Sequence, residues 1–174
     1  HNPSNTGWYL TGSSYFSNPV FVTVTAAAEQ PDQYETNNAV AQAATLTASF
    51  SGNNASVNTT GSNLHTGQDQ DFYKVILPSG NNYSINARVH DAYNSGNGNT
   101  YTVDCLWSYS TDGSTWSAAF DDVASGNITL NGGGTVYFHV APYFAGQLGT
   151  YLLQMDIQRG PTVGVEESIA TAGI

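Results

Sequence analysis

The sequence predicts an all-β protein, an antiparallel β-sandwich with jelly-roll-like or Greek-key connections. Three observations carry that prediction. Apolar and polar residues alternate with a period of two in segment after segment, turn residues separate those segments, and only one short stretch is a helix candidate.

The elements follow in order. Val20–Val24 reads as a strand, and with Trp8-Tyr9-Leu10 it suggests a β-hairpin over residues 1–28, either packed on the sandwich or ending an upstream domain. Ala39–Ala44 is the helix candidate. Tyr83, Ile85, Ala87 and Val89 alternate with Ser84, Asn86, Arg88 and His90. Tyr101, Val103, Cys105, Trp107 and Tyr109 alternate with Thr102, Asp104 and Ser108. Val136, Phe138 and Val140 repeat the pattern, as do Tyr151, Leu153, Met155 and Ile157. Each alternation places one face in a core. Pro78-Ser79-Gly80, the run 94–99, Asp112-Gly113 and Asn131-Gly132-Gly133-Gly134 supply the turns. The main domain is expected over residues 29–159. Residues 160–174 lose all periodicity and read as a linker.

Composition narrows the function. The 174 residues carry 13 Asp and Glu against 3 Lys and Arg, a formal net charge of −10. Three cations cannot neutralise a row of phosphates, which argues against nucleic acid, and an anionic membrane surface would repel the chain. No apolar run approaches the length of a membrane span. The single cysteine, Cys105, excludes an internal disulfide and a cysteine metal site, and its place on an apolar face marks it as a small core hydrophobe. Few charges, few cysteines and many Asn, Ser, Thr and Gly suit an extracellular or cell-surface bacterial protein.

No nucleophile elbow, Ser-x-x-Lys pair, His-Glu-x-x-His helix or phosphate loop occurs, so an enzyme is not expected. The strongest constellation is acidic and amide-rich: Asp32-Gln33-Tyr34-Glu35-Thr36-Asn37-Asn38, then Gln68-Asp69-Gln70-Asp71. In extended chain Glu35 and Asn37 share a face, as do Asp69 and Asp71. Brought together, the two clusters would supply the oxygens that calcium takes. Two readings stay open here, because Asp and Asn also cap turns, and Asn38 is placed to cap Ala39–Ala44. Tyr143 and Phe144 form an aromatic loop that either stacks on a sugar or peptide ligand or covers the end of the core. The ligand-binding reading needs both, together with Trp107, on one exposed face. Ser110-Thr111-Asp112-Gly113-Ser114-Thr115-Trp116 reads as a hairpin with Trp116 packed behind it, similar to the largely structural Asp-box hairpins of sialidase-like proteins but one residue shorter.

Asp32-x-Tyr34-Glu35-x-Asn37-Asn38, Ala43-x-x-Leu46, Asp69-x-Asp71-Phe72-Tyr73-x-Val75 and Gly149-x-Tyr151-x-Leu153 together resemble the bacterial pre-peptidase C-terminal domain over roughly residues 30–158. The resemblance implies a non-catalytic accessory sandwich appended to a secreted peptidase or other exoenzyme, aiding stability, secretion or substrate attachment. Its partners would be an upstream catalytic domain and an extracellular polysaccharide or protein. Through the related collagen-binding domains it implies calcium, held by Glu35, Asn37, Asn38, Asp69 and Asp71. Thr36 stands where the family usually has proline, which leaves the segment less preordered. Val163-Gly164-Val165-Glu166-Glu167 resembles the lead-in to the sorting domain of Bacteroidetes type IX secretion substrates, with the sorting domain itself absent from this sequence.

Overall fold

The computed structural model describes residues 29–93 and 100–162. The expected hairpin over 1–28, the turn run 94–99 and the tail from 163 onward lie outside the described residues. Within them the protein is all-β. In chain order the strands are β1 (Ala44–Leu46), β2 (Asn54–Asn58), β3 (Asn63–Leu64), β4 (Asp71–Leu77), β5 (Asn81–His90), β6 (Cys105–Ser110), β7 (Phe120–Asp121), β8 (Ile128–Leu130), β9 (Gly134–Pro142), β10 (Gly149–Thr150) and β11 (Leu152–Thr162).

Two sheets form the layers. One has the order β1-β4-β9-β6-β7 and the other β2-β11-β5-β8, while β10 and β3 make a small two-stranded ribbon. The long strands alternate between layers: β4, β6 and β9 lie in the five-stranded sheet, and β5, β8 and β11 in the four-stranded one. The chain thus crosses repeatedly between the two layers of a sandwich-like arrangement. All pairings are antiparallel except β1 with β4, where Ala44 faces Tyr73 and Leu46 faces Val75. The intervening β2 and β3 provide the long connection that a parallel pair needs.

The period-two pattern works as expected. Tyr73, Val75 and Leu77 of β4, Val136, Phe138 and Val140 of β9, and Cys105 and Trp107 of β6 point inward. They meet Tyr83, Ile85, Ala87 and Val89 of β5 and Leu153, Met155 and Ile157 of β11. Each fully buried large side chain contributes about 1.5–3 kcal/mol over its exposed state. Cys105 is buried in this core, and burial pushes its thiol well up from the ordinary range.

Three expectations are corrected. The Ala39–Ala44 helix is only a 3-10 turn, Val40–Gln42, after which Ala44 enters β1. A stretch of six residues is too short to nucleate a helix when its last residues gain more from pairing with β4. Trp107 is 2% exposed and stacks on Phe120, so it does not join an exposed binding face. The alternation that placed it on the apolar side of β6 is the reason. The sheet also runs past residue 159: Thr162 still pairs with Asn81, with the irregularity between Arg159 and Thr162. Pro161 is accommodated because β2 pairs only as far as Gln158, leaving that flank of β11 free of a partner strand.

Glycine is required at Gly133. Its φ is +87°, and a Cβ there would stand 2.3 Å from the Pro78 carbonyl oxygen. The Gly-rich run therefore lets the β8–β9 turn pass over the β4–β5 turn.

Candidate metal centre

Three pieces of chain meet at the head of β4: the loop 32–38, the turn 65–70, and Asp71 at the start of the strand. Each is pinned by hydrogen bonds that its own sequence supplies. Asp32 accepts the Tyr34 N–H at 2.7 Å with one oxygen and the Asn63 N–H at 2.9 Å with the other. The Phe72 N–H donates to the Asn37 carbonyl at 2.9 Å, which lashes the loop to β4. Asp69 accepts the His65 N–H at 2.7 Å and closes the turn. Tyr34 packs edge-on against Tyr73 at 5.3 Å and accepts the Thr60 N–H with its hydroxyl.

Asn38 does not cap a helix. Its side-chain oxygen accepts the Gln70 N–H at 3.2 Å, and its amide nitrogen donates to Glu35 Oε2 at 3.3 Å. Both ends are engaged as a strut between the loop and the turn. The other four expected residues offer free atoms. Among the described residues, eight buried side-chain polar atoms lack a hydrogen bond, and six of them belong to Glu35, Asn37, His65, Asp69 and Asp71. Asn37 contributes both its oxygen and its nitrogen. An unpartnered buried polar group costs about 1–3 kcal/mol, so a bound ion or water would be stabilised where such atoms concentrate.

Glu35, His65 and Asp69 each present one ligating atom within 4.8 Å of the others. His65 Nδ1 lies 2.5 Å from Asp69 Oδ2 and 3.2 Å from Glu35 Oε1, ion-pair distances without hydrogen-bond alignment. Asp71 points into the sandwich, as does Tyr73 two residues on. Its Oδ2 accepts the hydroxyl of Tyr151, which is also paired with the Tyr73 hydroxyl at 2.7 Å, while its Oδ1 is free. Burial first, and then the charges of Asp69, Asp32 and Glu35, push the Asp71 carboxyl up to about 8. Burial likewise raises Glu35, with Asp69 beside it, and Asp32. This is the electrostatic signature of a place that lacks positive charge.

The donor set is mainly hard oxygen: three carboxylates and one amide carbonyl. That set fits calcium. The His65 ring at the rim departs from an all-oxygen cage. Glu35, Asn37, Asp69 and Asp71 would hold the ion, and Asn38 and Tyr151 would orient them. Reading the sequence overlooked His65 and Tyr151. The histidine stands four residues before Asp69, which no motif marks, and Tyr151 is 80 residues from Asp71.

Tyr143 and Phe144 are exposed, 42% and 60%, with ring centroids 4.7 Å apart. They head a tight turn in which the Gln147 N–H donates to the Phe144 carbonyl and Gly146 takes φ +86°. A Cβ on Gly67 would lie 3.5 Å from the Gly146 Cα, so this turn rests against the acidic one. The Asp112 loop behaves as a structural hairpin. Asp112 Oδ1 accepts the Ser114 and Thr115 N–H groups and the Ser110 hydroxyl, which holds its carboxyl far below the usual range. Trp116 packs on Phe72 and His139.

Nothing here assembles a nucleophile with its base among the described residues. His139 Nε2 pairs with Gln70 and His90 Nε2 with Gln154. No helix among the described residues is long and apolar enough to cross a membrane. No family model matches the sequence, and no curated protein is detectably similar to it.

Proposed function

We propose that the chain is a non-catalytic accessory β-sandwich of a secreted bacterial exoenzyme, stabilised by a calcium ion held by Glu35, Asn37, Asp69 and Asp71. One observation carries the reading: Glu35 and Asp69, from distant segments, present ligating oxygens within 4.8 Å of each other beside His65, and Asn37 and Asp71, two residues on from each, keep unpartnered buried oxygens. Asn37 and Asp71 are fully buried and Asp69 is 2% exposed, so no substrate reaches them. A sealed oxygen cluster holds an ion for structural ends, tying the loop 32–38 to the core through Asp71 and Tyr151. Attachment to an exoenzyme, delivery by type IX secretion and an extracellular or surface location rest on the family resemblance and the acidic, cation-poor composition.

A thermal melt with calcium in excess and again with EGTA tests it. A site filled to 100 times its dissociation constant adds about 2.7 kcal/mol, which is a rise of several degrees. Asp69→Ala should abolish the rise. No calcium-dependent shift in the wild-type chain would sink the reading and reduce the cluster to loop caps.

A second reading, a carbohydrate- or protein-binding module, draws on the exposure of Tyr143 and Phe144. Loss of ligand retention on Phe144→Ala, with an unchanged melting temperature, would favour it.

A further inference from the structure

We propose that the outward face of the four-stranded sheet is a binding trough for a single strand of neutral polysaccharide lying across β2, β11 and β5. The inference is independent of the cation reading, since the trough lies on the other sheet from β4 and the acidic cluster.

Register defines the face. Asn54, Gln158, Ser84 and Thr129 stand side by side across β2, β11, β5 and β8. The next row is Ser56, Asp156 and Asn86, with Asn127 beside it. A shallow, open depression of about 480 Å³ lies over both rows, and another of about 600 Å³ extends toward Asn82, Thr129, Asn131 and Arg159. The two share Ser84 and Gln158, so they form one continuous trough.

The face is polar because it is the solvated side of an antiparallel sheet, but its residue types are unusual for strands. Asn and Asp are depleted in strands, yet Asn54, Asn58, Asn86 and Asp156 all occupy outward strand positions. Local preference is broken in this way where function demands it. The outward face of the other sheet is different, with Phe72, Ile76, Tyr137 and His139.

The chemistry selects the ligand. Amides and hydroxyls both donate and accept, which matches a sugar hydroxyl that does the same. Ser56 and Ser84 are already oriented, donating to Asp156 at 3.0 Å and to Asn127 at 2.8 Å. The side chains of Asn54, Asn86 and Gln158 have no hydrogen-bond partner among the described residues. Asp156 is the one carboxylate of the two rows, placed to take a pair of neighbouring hydroxyls. Neither row holds a cation; Arg159, which lines the second depression, is turned to the Gly52 carbonyl and the Phe50 ring, and Arg88 in the next row is a single charge against a net −10, so an anionic polymer is disfavoured. Neighbouring strands are spaced about 4.8 Å apart. That is close to the length of one pyranose unit, so each strand meets one sugar.

Affinity electrophoresis of the whole chain tests the proposal, with hydroxyethylcellulose, xylan, mannan or dextran cast in the gel and alginate as the anionic control. Retardation by at least one neutral polymer and none by alginate is expected. Asp156→Ala and Asn86→Ala should each weaken it about tenfold, the loss of one good polar contact. Both sites are exposed, so the melting temperature should stay within a degree or two. Retardation by none of the neutral polymers overturns the proposal. So does equal retardation by alginate, or retention that survives both substitutions and disappears in Phe144→Ala.

Discussion

The apolar core and the acidic cluster at the head of β4 are both buried, but they are satisfied in opposite ways. Phe138, Val75, Leu153 and Met155 are stabilised by contact alone, and their neighbours are all present in the chain. Asn37, Asp69 and Asp71 are as deeply buried but keep unpartnered atoms. The core makes its contacts within the chain, whereas on the proposed reading the cluster is completed by a bound cation. Stability should therefore divide into a part indifferent to cations and a part governed by them.

The largest expected effect belongs to the core. Phe138→Ala should cost about 3–5 kcal/mol by denaturant unfolding, and by the same amount with calcium or EGTA. A cost that depended on calcium would merge the two regions and break the comparison. Next comes Asn37→Ala, which should remove most of the calcium-dependent rise in melting temperature while lowering metal-free stability little, because its amide has no partner to lose. An equal loss in both conditions would make Asn37 an ordinary core residue.

Asp71 sharpens the contrast through pH. The fold raises its carboxyl from 3.8 to about 8, so the folded state holds the proton more tightly than the unfolded state. Metal-free stability from this group is fully present below about pH 4 and is lost as pH rises through 8. Asp71→Asn should accordingly raise the metal-free melting temperature at pH 8 and abolish the calcium response, as melts at pH 5 and pH 8 with EGTA would record.

His139 gives a smaller effect of opposite sign. Burial holds its imidazole below 6.5, so the neutral ring is the native one and stability falls as pH drops through 6.5. His139→Gln should flatten that part of the profile. The smallest effect concerns metal choice. His65→Ala should leave the calcium response in place and weaken any response to zinc, which favours imidazole. Loss of the calcium response would instead make His65 part of the cage's support.

Much of this was legible beforehand. The inward residues of β5, β6, β9 and β11 follow directly from alternation, and so does the burial of Trp107, which the exposed-face reading had overlooked. The two acidic, amide-rich segments were identifiable from residue type and spacing, while Glu35, Asn37, Asn38, Asp69 and Asp71 as a calcium ligand set follow from the family resemblance. The capping alternative for Asn38 fails because capping is judged from the local sequence, and its partner Gln70 is 32 residues away. The same distance problem hid Tyr151, whereas His65, four residues from Asp69, was missed because no motif marks that pair.

The sequence alone determined the strands, the inner and outer faces and the hard-oxygen character of the cluster. These depend on a two-residue period and on side-chain chemistry, both local properties. Only the tertiary structure decided that the loop 32–38 closes over Asp71, that Tyr151 reaches it, and that Asn54, Gln158 and Ser84 align across three strands. Those arrangements are set by sheet order and register, which emerge when the whole core packs at once.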